Sequence, residues 1–173
     1  MADQRTIKQI FERNVELLTH KPARGFLTFA TTARLVDGLR CEIEDGAWRL
    51  AADMPANIGG NNTAPSPGVL GRGALASCLV IGLSRWAARL GVPLDALEVE
   101  VEADLDARGE LGMSAEIRPG YGEVRYTISL RSPAPRELVA ELIATATRYS
   151  PYLDIFGHAV VLRGIHHLDG QGA

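Results

Sequence analysis

Hydrophobic and polar residues along this chain change period several times. Between residues 6 and 20, Ile7, Ile10, Phe11, Leu17 and Leu18 fall at helical spacing among Lys8, Glu12, Arg13 and Glu16, which predicts an amphipathic helix. From Gly25 to Asp53 the period drops to two. Leu27, Phe29 and Ala33 alternate with Thr28, Thr32 and Arg34, and Leu39, Cys41 and Ile43 alternate with Arg40, Glu42 and Glu44. Asp37-Gly38 and Asp45-Gly46 punctuate these runs as hairpin turns do, so a three-stranded antiparallel meander is expected, with Leu39, Cys41 and Ile43 toward the core. Residues 54–68, rich in glycine, asparagine and proline, read as a loop.

Ser66-Pro67 supplies an N-cap and first residue for a long central helix that stops at Gly91. Two cleanly alternating runs follow. In 97–105, Leu97, Val99, Val101, Ala103 and Leu105 oppose Glu98, Glu100, Glu102 and Asp104; in 123–131, Val124, Tyr126, Ile128 and Leu130 share a face. A second helix carries Leu138, Leu142, Ala146 and Tyr149 as its stripe and is expected to stop at Ser150, before Pro151. A last strand is expected over His158 to Arg163. Strand runs mixed with helices, without a strand–helix–strand rhythm, predict an α+β fold with antiparallel sheets around two long helices. Residues 1–22 form a helical extension, and 23–173 the domain proper.

At 173 residues with a net charge of −3, the chain suits one domain and lacks the basic face that nucleic acid or an anionic membrane would select. The apolar run from Ala74 to Leu83 falls short of the ~20 residues of a membrane span. Two cysteines make no secreted disulfide framework, and the N-terminus lacks the apolar core of a signal peptide. A cytoplasmic protein is expected. His158, His166, His167 and His20 show no metal-ligand spacing, so neither metal nor cofactor is expected. Gly59-Gly60-Asn61-Asn62 lacks the lysine of a phosphate-binding loop and reads as a flexible rim. Trp48 and Trp86 read as core or interface anchors.

The chemistry concentrates on the central helix. Positions three, four and seven residues from Cys78 are Gly71, Ala74, Leu75, Gly82 and Arg85, a stripe of mostly small side chains that lets another backbone approach or leaves room for a ligand. A free cysteine commonly packs as a small hydrophobe. Reactivity needs a cation, a metal or a helix N-terminus, and Cys78 lies about three turns inside its helix, beyond the reach of the dipole.

The stretch APSPGVLGRGALASCLVIGLSRWAARLG, with the strand ending Asp104-Leu105-Asp106-Ala107-Arg108-Gly109, resembles the signature helix and following strand of the OsmC/Ohr family of osmotically induced and organic hydroperoxide resistance proteins. The resemblance spans roughly residues 25 to 165. It implies an intertwined homodimer with active sites at the subunit interface. It also implies that the helix cysteine, here Cys78, attacks a peroxide and that a second cysteine before a proline resolves the product. An arginine and a glutamate assist in that family.

This chain departs from the family pattern. The resolving position falls on Ser150, whose hydroxyl cannot form a disulfide, and the glutamate position falls on Gly68. The candidates for the arginine are Arg34 and Arg40. Cys41 could resolve Cys78 only if the two met in space. Two readings stay open: reduction of organic hydroperoxides by Cys78 with an external thiol, or binding of a small apolar molecule in an interface cleft floored by Gly71, Ala74 and Gly82.

Overall fold

The computed structural model describes residues 3–168. Helix α1 (Gln4–His20) starts at Asp3, whose carboxylate accepts from the Thr6 N–H at 2.8 Å. Strands β1 (Thr32–Asp37), β2 (Arg40–Asp45) and β3 (Trp48–Ala52) form the antiparallel meander, with Leu35 opposite Cys41 and Cys41 opposite Ala52. Gly38 and Gly46, both at φ 53°, make its two turns, a left-handed conformation open to glycine. Helix α2 (Pro67–Leu90) is capped by Ser66 at one end and by left-handed Gly91 at the other. Strands β4 (Ala96–Asp104) and β5 (Glu123–Arg131) pair antiparallel along their whole length, flanking the short helix α3 (Ala107–Glu110). Helices α4 (Arg136–Arg148) and α5 (Pro151–Gly157) complete the order.

The core lies where α2, α4 and the β4–β5 ribbon meet. Leu83, Ala87, Val92, Leu142 and Ala146 are buried there, with Leu97, Val99, Ile128 and Leu130 packed against them from the ribbon. Each fully buried leucine contributes about 2 kcal/mol by its removal from water. The acidic alternates of β4 face solvent, where Glu102 and Asp104 pair with Arg125. Helix α1 packs on α2 through an edge-on contact of Phe11 with Trp86 at 5.1 Å, and Gln4 Nε2 donates to the Val92 carbonyl.

Five expectations need correction. Residues 26–31 are not strand: β1 begins at Thr32, and Leu27 and Phe29 stand in solvent. The meander has no substantial packing against another element, so Leu39 is exposed and Cys41 and Ile43 are only half-buried. Trp48 is exposed on the meander, so it anchors no core within this chain and its reading as an interface anchor stays open, and Tyr149 sits exposed beyond the last turn of α4. Helix α4 ends at Arg148, and Ser150-Pro151 opens α5 rather than simply closing α4. His158 to Arg163 forms no strand; those residues are extended and exposed.

At 24 residues, α2 also meets the length and apolarity of a membrane span, contrary to the reading from its central run. It does so as the core helix of the fold: Leu75, Leu79, Leu83 and Ala87 are buried within the domain.

Candidate functional site

Helix α2 carries Cys78 to the junction between α4 and α5. There the Cys78 Sγ lies 3.7 Å from the Ser150 Oγ, across 72 residues of sequence. Ser150 is held by backbone logic. Pro151 lacks an N–H and suits the first turn of a helix, so the chain breaks between the two helices and Ser150 becomes the cap of α5. Its Oγ accepts from the Leu153 N–H at 3.4 Å, which leaves the hydroxyl hydrogen to point at the sulfur.

The small residues Gly71, Ala74 and Gly82 lie half-buried along the stripe of Cys78. A Cβ built on Gly71 or Gly82 meets nothing within 4 Å, so this chain leaves the space beside them unfilled.

A cavity of about 530 Å³ is lined by Leu75, Arg118, Tyr121, Tyr126, Leu153 and Phe156 among others, and neither Cys78 nor Ser150 is in its wall. Leu75 lies one turn before Cys78 on α2, and Leu153 follows Ser150 on α5. Tyr121 separates this cavity from a second, of about 430 Å³, at the start of α2, where Met54, Pro55 and Ile58 face Gly68 and Arg72.

Gly68 sits in a filled corner. The Tyr121 hydroxyl donates to its carbonyl at 3.3 Å and accepts from the Arg72 Nη1 at 3.2 Å. A Cβ at residue 68 would come within 3.3 Å of both groups. Where the resemblance places a glutamate, this chain therefore has an arginine–tyrosine pair. The sequence reading missed both residues. Arg72 follows Gly68 by one helical turn, which was a usable signal; Tyr121 arrives from a loop and gave none.

The loop before α2 is ordered by Asp53, not left as a flexible rim. The Asp53 carboxylate, 1% exposed, accepts from the Met54 N–H, the Asn61 N–H and both the N–H and hydroxyl of Thr63. Those donors, Thr63 foremost, hold its pKa down to about 2.

Arg34 and Arg40, the candidates for the family arginine, sit on the meander within this chain. Each is paired on the meander, Arg34 with Glu44 at 3.4 Å and Arg40 with Glu42 at 3.5 Å. Arg85 lies over the Phe11 ring instead. Cys41 and Cys78 are both free.

A sequence profile described as OsmC-like protein matches residues 59–163, which include α2, both strands of the ribbon, α4 and α5. The chain belongs to the OsmC-like family. Solved OsmC-like structures share the architecture. An OsmC-like protein from Mycoplasma pneumoniae superposes with a TM-score of 0.65 at 14% identity, covering 76% of this chain and 88% of that one. An OsmC-like protein of unknown function from Vibrio cholerae gives 0.59 at 9% identity, covering 75% and 93%. An organic hydroperoxide resistance protein OsmC from Legionella pneumophila gives 0.53 at 22% identity, covering 75% and 88%. At these identities the likeness is one of fold, and the fold is OsmC-like: helices with antiparallel sheets. No curated protein sequence matches the chain.

Proposed function

We propose that this OsmC-like protein is a cytoplasmic thiol peroxidase that reduces organic hydroperoxides through Cys78 and draws its electrons from an external thiol. The observation that carries this reading is the 3.7 Å approach of the Ser150 hydroxyl to the Cys78 sulfur. The Cys78 thiolate attacks the outer peroxide oxygen; the O–O bond breaks, the sulfur becomes a sulfenic acid and the alkoxide leaves with a proton as the alcohol. Ser150 offers no sulfur, so a small thiol condenses with the sulfenic acid, releasing water and forming a mixed disulfide. A second thiol then displaces Cys78 as the reduced enzyme. The solved Legionella and Elizabethkingia anophelis relatives described as organic hydroperoxide resistance proteins support the same chemistry.

The active form is proposed to be a homodimer. This chain alone leaves Phe26 88%, Trp48 75% and Leu162 91% exposed, more apolar surface than a lone soluble domain presents. The open space beside Gly71 and Gly82 gives a partner, or a ligand between partners, somewhere to sit. Light scattering behind size exclusion tests this, and a mass of one chain would overturn it.

A second reading is favoured by one observation: Gly68 stands where the resemblance places a glutamate. Under it the cavity binds a small apolar molecule without redox chemistry. Intact mass after one equivalent of cumene hydroperoxide with a sulfenic-acid trap separates the two. A trapped adduct on the wild type, absent from Cys78→Ser, supports the peroxidase. No adduct on either protein refutes it.

A further inference from the structure

Further along α2, C-terminal to Cys78, lies an arrangement that peroxide chemistry does not use. At its last two turns, Trp86 stacks on Tyr149 at 5.4 Å and meets Phe11 of α1 edge-on. Arg89 lies over both rings, 4.7 Å from the centre of Phe11 and 5.1 Å from that of Trp86; Arg85 lies 5.2 Å over Phe11 and Arg148 5.6 Å over Tyr149. A groove of about 720 Å³ runs between α1, α2 and α4 along these residues, with Arg89 and Arg148 both in its wall.

Two features of this cluster call for an anion. Arg85 and Arg89 stand one helical turn apart on the same face, a like-charge spacing that destabilises a helix, and Arg148 adds a third positive charge from α4. Among the described residues none of the three forms an ion pair; other arginines of the chain share that, and what sets these apart is that three guanidiniums gather over one set of aromatic rings. Glu141 in the groove wall does not pair with them either. A guanidinium stacked on a ring keeps its N–H edges free in the ring plane, where a carboxylate can accept two of them.

We propose that this groove binds a small aromatic carboxylate, its ring packed against Trp86 and its charge held between Arg89 and Arg148. The aromatic trio selects a flat apolar body, and the unpaired guanidiniums select the anion. Cys78 is not in the wall of this groove, although Tyr149 precedes Ser150, and the proposal stands whether or not the thiol is reactive.

The test is calorimetric titration of the full chain with 2-naphthoate and with 2-naphthamide, which has the same ring and no charge. The expected result is saturable binding of the acid, at least tenfold tighter than the amide. Arg89→Gln and Arg148→Gln should each weaken the acid by about tenfold, as loss of one charge-assisted pair does, with the amide unchanged. Circular dichroism identifies any variant that fails to fold, in which case the other one decides. Equal binding of acid and amide, no saturable binding, or folded variants with unchanged affinity would overturn the proposal.

Discussion

If Ser150 occupies the place of a resolving cysteine, returning the sulfur should restore an internal cycle. In a Cys41→Ser background, Ser150→Cys puts two sulfurs where an oxygen and a sulfur now stand 3.7 Å apart. The longer carbon–sulfur bond and a small rotamer adjustment bring them to bonding distance. The cross-link would close a loop of 72 residues. By the chain-entropy relation such a loop stabilises the folded state by about 4 kcal/mol. Loss of the Ser150 cap on α5 costs about 1 kcal/mol in both redox forms. The reduced variant should therefore melt slightly below its parent, and the oxidised variant on the order of 10 °C above the reduced one. Diamide tests the geometry first, by a mass loss of two hydrogens and the disappearance of both titratable thiols. Cumene hydroperoxide then tests whether Cys78 starts the reaction. Two free thiols after diamide would refute the placement of Ser150 against Cys78; a diamide-formed bridge that peroxide cannot make would refute the activated thiol.

Other expectations are more local. Leu142→Ala empties a fully buried site between α2 and the ribbon and should cost about 3 kcal/mol, read as a lower urea midpoint at unchanged slope. Asp53 has a folded pKa of about 2 against an ordinary 3.8, so its stabilisation is complete above about pH 4 and is lost as pH falls toward 2. Asp53→Asn should then flatten the pH dependence of stability in that window, and an unchanged acid-unfolding profile would contradict the clamp. Gly60→Ala would drive a Cβ into the Met54 carbonyl, so the 54–65 loop must shift. The expected outcome is about 1–3 kcal/mol of destabilisation with faster hydrogen exchange confined to that loop.

What the sequence made legible divides along a physical line. Helix α2 and the paired strands β4 and β5 were readable to within a residue or two because their signals are local: Ser66-Pro67 and Gly91 at the ends of one, strict alternation in the others. The same Ser-Pro grammar recurs at Ser150-Pro151, where it was read only as a stop. A proline disfavours helix at the residue before it and favours helix at its own position, so the dipeptide ends α4 and begins α5 at once. The meander failed differently. Period-two alternation says that Leu39, Cys41 and Ile43 share a face, but not what covers it; among the described residues no other element packs substantially on the meander. The candidate site depended on distance rather than pattern. Spacing along the chain could not bring Ser150 to Cys78, and the resemblance to the OsmC/Ohr family supplied that pairing before any coordinates did. Nor could spacing show that Arg72 and Tyr121 fill the corner beside Gly68, since a glycine in sequence is silent about its neighbours. Replacing a glutamate by glycine removes a carboxylate, but the arginine–tyrosine pair standing there changes the sign of the charge at the start of α2. The start of α2 therefore presents the Arg72 cation where the family pattern would present an anion.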